Sequence, residues 1–161
     1  MSNKFEILMN QLDMPLEMRN SEAFLNAEIE KVLVHKVSRV WEFHFSFANI
    51  LPIEIFRELQ KRLAQEFSKT GNQAIFEIHC QAPQISDELL QAYYQLAFEE
   101  GPCASHGFKS LYQDLQVHLD GDKLLIEGPS TIDTEHFRKN HLPNLSRQLV
   151  KYGFPQSELR S

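Results

Sequence analysis

An α+β fold in two small subdomains, each a β-hairpin followed by helices on a largely antiparallel sheet, is what the sequence predicts. Three observations predict it. Val40-Trp41-Glu42-Phe43-His44-Phe45-Ser46-Phe47 alternates strictly, the period of a half-buried strand, and its β-branched and aromatic residues suit a pleated surface. Pro52 then opens a stretch in which Ile55, Phe56, Leu59, Leu63 and Phe67 recur at helical spacing. In the second half, Asp120-Gly121 is a strong hairpin signal between two apolar runs, and helical patterns follow it.

In chain order, Phe5, Leu8, Met9 and Leu12 lie at helical spacing until Asp13-Met14-Pro15 ends the pattern. Residues 16–29 read as a short helix or a loop, with Ser21 as a cap. Residues 31–37 and 40–47 form the first hairpin, with Ser38-Arg39 as a two-residue turn. That register sets Val37 opposite Val40, His35 opposite Glu42, and Leu33 opposite His44. It gathers Val32, Val34, Trp41, Phe43 and Phe45 on one face, and a one-residue slip would mix the faces. With Phe56, Leu59 and Leu63 of the Pro52 helix, these residues are the expected core. Residues 72–81 read as a third strand, Ala74, Phe76, Ile78 and Cys80 alternating with Ile75, Glu77 and His79.

Gln81-Ala82-Pro83-Gln84 is the polar joint near the middle, so the first subdomain is expected over residues 1–81 and the second over 82–156, leaving 157–161 as a polar end. Ser86-Asp87-Glu88 caps a helix with Leu89, Leu90, Tyr93, Leu96 and Ala97 as its stripe, stopped at Gly101-Pro102. Phe108, Leu111 and Tyr112 suggest a further short helix. In the second hairpin Leu115, Val117, Leu119, Leu124 and Ile126 share a face, and Gly128-Pro129 leaves the sheet. Ser130 or Asp133 caps a helix through Phe137, and residues 143–152 make the last one, closed by Gly153. Residues 32–67 and 115–152 therefore rhyme, which suggests a repeat of one supersecondary unit.

Composition narrows function. With 161 residues of which 42 % are hydrophobic, the chain can build a real core. A net charge of −6 argues against a dedicated nucleic-acid binder, which neutralises phosphate with clustered Lys and Arg. Cys80 and Cys103 form no CxxC, so neither a zinc ribbon nor a disulfide framework is implied. No apolar run is long enough for a membrane span and Met1-Ser2-Asn3-Lys4 is unlike a signal peptide, so a cytoplasmic protein is expected.

His35, Glu42 and His44 share the outer face of the first hairpin, and with His79 could hold a divalent ion. The chain lacks a metal-ligand signature such as HExxH, and half-exposed strand residues are the plainer reading. The same holds for His118, His136 and His141. Cys103 with His106 lacks the local signature of a catalytic thiol. GxSxG, GxxxxGK[ST] and GxGxxG do not occur. No catalytic residue, metal or cofactor is therefore expected in this chain.

Trp41, Phe43 and Phe45 could stack on bases, but aromatics followed at once by an apolar helix form a core. Arg57, Lys61, Arg62 and Lys69 alternate with Glu54, Glu58 and Glu66, a solvated helix face on which Lys61 and Arg62 are the candidate nucleic-acid contacts. The sheet face opposite the core carries Leu33, His35, Val37, Val40 and His44, either a partner-docking site or the place where the second half packs.

Asn3-Lys4-Phe5-Glu6-Ile7-Leu8, Val34-His35-Lys36, Trp41-Glu42-Phe43-His44-Phe45 and Ile50-Leu51-Pro52 with Phe56 resemble the N-terminal region of PolC-type DNA polymerase III, the replicative α subunit of Gram-positive-type bacteria. Asp133-Thr134-Glu135-His136-Phe137 and Val150-Lys151-Tyr152-Gly153-Phe154 resemble the next module of that family, so the likeness runs to Phe154. It implies a separated, non-catalytic accessory module, KH-like without the GxxG loop and related to the polymerase-binding domain of the clamp-loader τ subunit. Replisome proteins, τ foremost, are the implied partners, with single-stranded nucleic-acid binding as the alternative. The implied parent joins polymerase and 3′–5′ exonuclease activities that use Mg or other divalent metals. No polymerase or exonuclease residue of the family maps onto a position here.

Overall fold

The computed structural model describes residues 2–128 and 134–160. It is α+β, and two compact units divide the chain, Met1–Gln84 and Ile85–Ser161. The division falls at the end of the polar joint around Pro83.

In the first unit α1 (Asn3–Gln11) starts where the Ser2 hydroxyl accepts the Phe5 N–H at 3.4 Å, and stops as Asp13 turns to φ 54°. A short α2 (Leu16–Arg19) and a 3₁₀ turn (Glu22–Phe24) lead to β1 (Glu28–His35) and β2 (Val40–Phe47). The α3 helix (Ile53–Ser68) follows, with Pro52 just before its first turn, and β3 (Gln73–Cys80) closes the sheet in the order β1-β2-β3. β1 and β2 are antiparallel; β2 and β3 are parallel, with α3 supplying the crossover a parallel pair requires. Phe43, Phe45 and Phe47 of β2 are buried, and Ile55, Phe56, Leu59 and Leu63 of α3 are buried with them.

Two expectations about the hairpin need correction. His35 pairs with Val40, Leu33 with Glu42 and Lys31 with His44, so the loop holds four residues and Val37 lies in it, fully exposed. The pairing is displaced by two residues, which leaves every side chain on its expected face. Arg39 at φ 59° supplies the left-handed position of this longer loop, and its guanidinium donates to the Thr70 carbonyl at 2.8 Å. The second correction concerns Val32 and Val34. They stand on the Trp41 and Phe43 face as expected but are exposed, at 37 % and 45 %, because β1 is an edge strand. Trp41 itself is half-buried, 5.2 Å from the Phe67 ring.

Arg62 is a clamp. Its Nε donates to Glu58 Oε1 at 2.5 Å, and its Nη1 donates to the carbonyls of Leu12 (3.3 Å) and Asp13, the acceptors left open where α1 ends. The hydrogen bond from Arg62 holds the Glu58 carboxyl below the usual carboxylate range. A depressed carboxylate stabilises the fold above its unfolded-chain pKa, and that contribution is lost as pH falls through the lowered value. Arg62→Ala is therefore expected to lose about 1–2 kcal/mol at neutral pH. Its deficit against the parent should narrow below roughly pH 4, where glutamates protonate. Urea titrations followed by Trp41 fluorescence check both, and a variant as stable as the parent at pH 7 would remove the clamp.

The second unit starts with α4 (Asp87–Ala97), whose Ser86 hydroxyl accepts the Leu89 N–H at 3.1 Å, as its sequence predicts. Gly101 at φ 57° opens the 3₁₀ turn after it, and α5 (His106–Tyr112) is capped by Ser105. Its Leu111 points to solvent, while Tyr94, absent from the expected stripe of α4, is buried and donates to the Tyr112 carbonyl at 2.8 Å. β4 (Gln116–Asp120) and β5 (Lys123–Glu127) pair antiparallel around Gly121-Asp122, one residue on from the expected turn. Val117, Leu124 and Ile126 bury their shared face. α6 (Thr134–Asn140) and α7 (Leu142–Lys151) follow; the expected caps Ser130 and Asp133, and the exit at Pro129, lie outside the described residues. Ser157–Arg160, expected as part of a polar end, is a sixth strand, β6, parallel to β5. Each unit thus runs hairpin, helical crossover and parallel third strand, and the rhyme between the halves is a repeat of topology.

Candidate functional site

The outer face of the first sheet is the surface that brings unusual chemistry together. Residues in register point to the same side. Lys31, Leu33 and His35 therefore stand beside Val40, Glu42 and His44, and these beside Gln73, Ile75 and Glu77. Of the docking residues expected from sequence, Leu33, His35, Val40 and His44 share this face, and Val37 has left it for the loop. Ile75 and Glu77 were missed as members. Their alternation along β3 was visible, but only parallel pairing with β2 puts them next to Glu42 and His44.

The face is ionic and apolar together. His44 Nε2 lies 2.5 Å from Glu42 Oε2, and His35 Nε2 lies 3.7 Å from Glu42 Oε1. His44 Nδ1 stands 3.8 Å from Glu77 Oε2, and His79 Nδ1 is 3.2 Å from Glu30 Oε1. Each carboxylate thus meets an imidazole. Among the described residues, no group of three or more His, Cys, Asp or Glu side chains is disposed to hold a metal ion. Leu33 and Ile75 flank these imidazole–carboxylate contacts, 40 % and 39 % exposed.

The other sequence candidates are separate from it. Lys61 is exposed on α3, whereas Arg62 is engaged with Glu58 and the end of α1. Phe43 and Phe45 are buried. Cys80 and Cys103 are free and buried, and burial pushes their thiols up to about 12 and about 11, far from the thiolate a nucleophile needs.

In the second unit a cleft of about 470 Å³ runs between α4 and β4, lined mainly by Asp87, Gln91, Gln95, Asp114, Gln116 and His118. Two of its glutamines are spent on backbone. Gln91 Nε2 donates to the Val117 carbonyl and Gln95 Nε2 to the Gln113 carbonyl, each at 3.1 Å. Among the described residues no helix is long and apolar enough to cross a membrane.

The sequence matches two family models in order along the chain. DNA polymerase III polC-type N-terminus I covers residues 4–78, and DNA polymerase III polC-type N-terminus II covers residues 92–159. The DNA polymerase III PolC-type of Streptococcus sanguinis (strain SK36) is 97 % identical over 97 % of this chain and 11 % of its own length. That of Streptococcus pneumoniae (strain ATCC BAA-255 / R6) is 66 % identical over 96 % of the chain and 11 % of its own length. That of Streptococcus pyogenes serotype M1 is 51 % identical over 96 % and 10 %. The chain thus spans about a tenth of the length of the curated relatives it matches. No solved structure matches it.

Proposed function

Because this chain belongs to the PolC-type DNA polymerase III family, as its N-terminal region, we propose that it is a non-catalytic accessory module that docks replication proteins onto a replicative polymerase. The carrying observation is the outer sheet face, where apolar Leu33, Val40 and Ile75 sit among the imidazole–carboxylate pairs of His35, Glu42, His44 and Glu77. A mixed surface of this kind suits a protein partner: the apolar residues contribute affinity and the paired polar groups fix register. The clamp-loader τ subunit is the partner that the family resemblance favours. On the same reading the parent is a cytoplasmic DNA polymerase with 3′–5′ exonuclease activity and divalent metals, chemistry to which this chain contributes no residue.

Base readout has less behind it. Phe43 and Phe45 are closed to a nucleobase and Arg62 is already bonded, which leaves half-buried Trp41 and exposed Lys61. Adding unlabelled τ to the ¹⁵N-labelled chain should shift amides contiguously across β1, β2 and β3 of the first unit. Binding should weaken several-fold with Leu33→Asp. An unchanged spectrum at high τ concentration would remove τ as the partner. Single-stranded DNA that binds with a steep salt dependence would favour the alternative instead.

A further inference from the structure

We propose that the free edge of β1, over residues 31–35, receives an extended segment of a partner protein as a fourth strand, apolar beside Val32 and Val34 and acidic beside Lys31 and His35. The proposal deepens the docking function and rests on it for there being a protein partner at all.

The two units treat equivalent edges differently. β4 occupies in the second sheet the place that β1 occupies in the first, the outer strand of the hairpin. Asp120 and Lys123 close a two-residue turn, and pairs alternate along an antiparallel ladder, so Val117 and Leu119 turn their backbone groups away from β5. Gln91 donates to that outward Val117 carbonyl at 3.1 Å, standing in for a neighbouring strand. This is the covering by which sheet edges are kept from recruiting other chains. β1 has none of it. Among the described residues no side chain bonds to the backbone of residues 28–34, and seven of the eight residues of β1 are exposed. Its apolar residues Val32, Leu33 and Val34 are consecutive, 37 %, 40 % and 45 % exposed, so apolar surface stands open on both faces of one edge. The bulge between Ile29 and Lys31 interrupts the N-terminal part and leaves residues 31–35 as the regular stretch.

Chemistry selects the occupant. On the helix side a new strand would lie against Val32 and Val34, next to half-buried Trp41, and would extend the apolar layer there. On the outer side it would meet Lys31, Leu33 and His35, with Lys36 just beyond. The nearest acidic residues of the strand, Glu28 and Glu30, lie on the far side of Lys31, and Glu30 is engaged with His79. A second copy paired antiparallel about Leu33 would set Lys31 against His35 twice over, and the Glu42 carboxylate beside His35 lies one strand further in, already shared with His44. An apolar strand with acidic residues on its other face meets both sides with complementary groups.

The probe is a capped eight-residue peptide alternating valine and glutamate, added to the ¹⁵N-labelled chain, with a valine–lysine peptide as control. The expected result is amide shifts confined to Lys31, Val32, Leu33, Val34, His35 and their loop. Hydrogen exchange of outward β1 amides should slow by about tenfold, and the lysine control should bind about tenfold more weakly. Val34→Pro, which blocks an outward N–H, should abolish binding. Val34→Lys, an exposed substitution that leaves the fold intact, should weaken it by a similar factor. Shifts elsewhere or none, equal binding of the lysine control, or dimerisation through β1 without peptide would each overturn the proposal. If τ binds but perturbs residues away from β1, docking stands and the edge falls. If the peptide adds to β1 while τ does not bind, the edge stands and τ falls.

Discussion

Alanine in place of Phe45 is expected to destabilise the first unit by about 3–5 kcal/mol, the range for deleting a fully buried phenyl ring. Phe45 is 0 % exposed and is where three segments meet, α1, β2 and β3. Its ring centroid lies 5.7 Å from Phe5 of α1 in an edge-on arrangement, 5.7 and 5.8 Å from Phe43 and Phe47 of its own strand, and 5.5 Å from Phe76 of β3. No one neighbour can move in to fill the gap without abandoning another. A unit of this size has roughly 4–12 kcal/mol of stability to lose, so the variant should be largely unfolded at 37 °C or close to it. The protein's single tryptophan, Trp41, lies in this unit and reports on it alone. A denaturation midpoint by Trp41 fluorescence equal to the parent's would show that the aromatic layer is not the core. Val34→Ala, on the same face but exposed, should change stability by less than about 0.5 kcal/mol.

The second large effect comes from the other end of the chain. Removing residues 157–161 should destabilise the second unit by about 3 kcal/mol, at a net 0.5–1.5 kcal/mol for each hydrogen bond lost. β6 pairs with β5 from Leu124↔Ser157 to Glu127↔Arg160, and the Ser157 N–H donates to the Ser146 hydroxyl of α7 at 2.9 Å. Lys123–Glu158 and Arg160–Glu127 are exposed ion pairs and add little. The truncation would also turn β5, with buried Leu124 and Ile126, into an edge. Hydrogen exchange should accelerate at β5 and α7 while the Trp41 transition stays in place. Unchanged protection of β5 would mean that the pairing contributes nothing.

That strand is instructive because its own residues do not announce it. Ser157-Glu158-Leu159-Arg160 has no apolar alternation, and its pairing with β5 is a non-local fact. The one hint was the rhyme between the halves, since a first unit ending in a third strand argues for one at the end of the second. The site behaved similarly. The alternation of residues 40–47 was enough to collect Leu33, His35, Val40 and His44 on one face, but Ile75 and Glu77 joined it only through parallel pairing. Both hairpin turns were displaced while their faces were right, for one reason. A period of two distinguishes odd shifts from even ones and cannot tell one even shift from another. The loops decided the rest, through Arg39 at φ 59° and Gly121 at φ 62°.

Local pattern and chemistry by themselves determined the kinds and order of the main elements, the faces of each strand, the cap at Ser86 and the helix start at Pro52, while resemblance supplied the family. These depend on residues within a turn or a strand length of one another. Only the tertiary structure decided that Val32 and Val34 stay in the open, that Arg62 holds the end of α1, and that the chain's last residues complete a sheet. Each depends on which strand lies at an edge and which distant backbone groups need partners. A period read along the chain carries no information about its neighbours across the sheet.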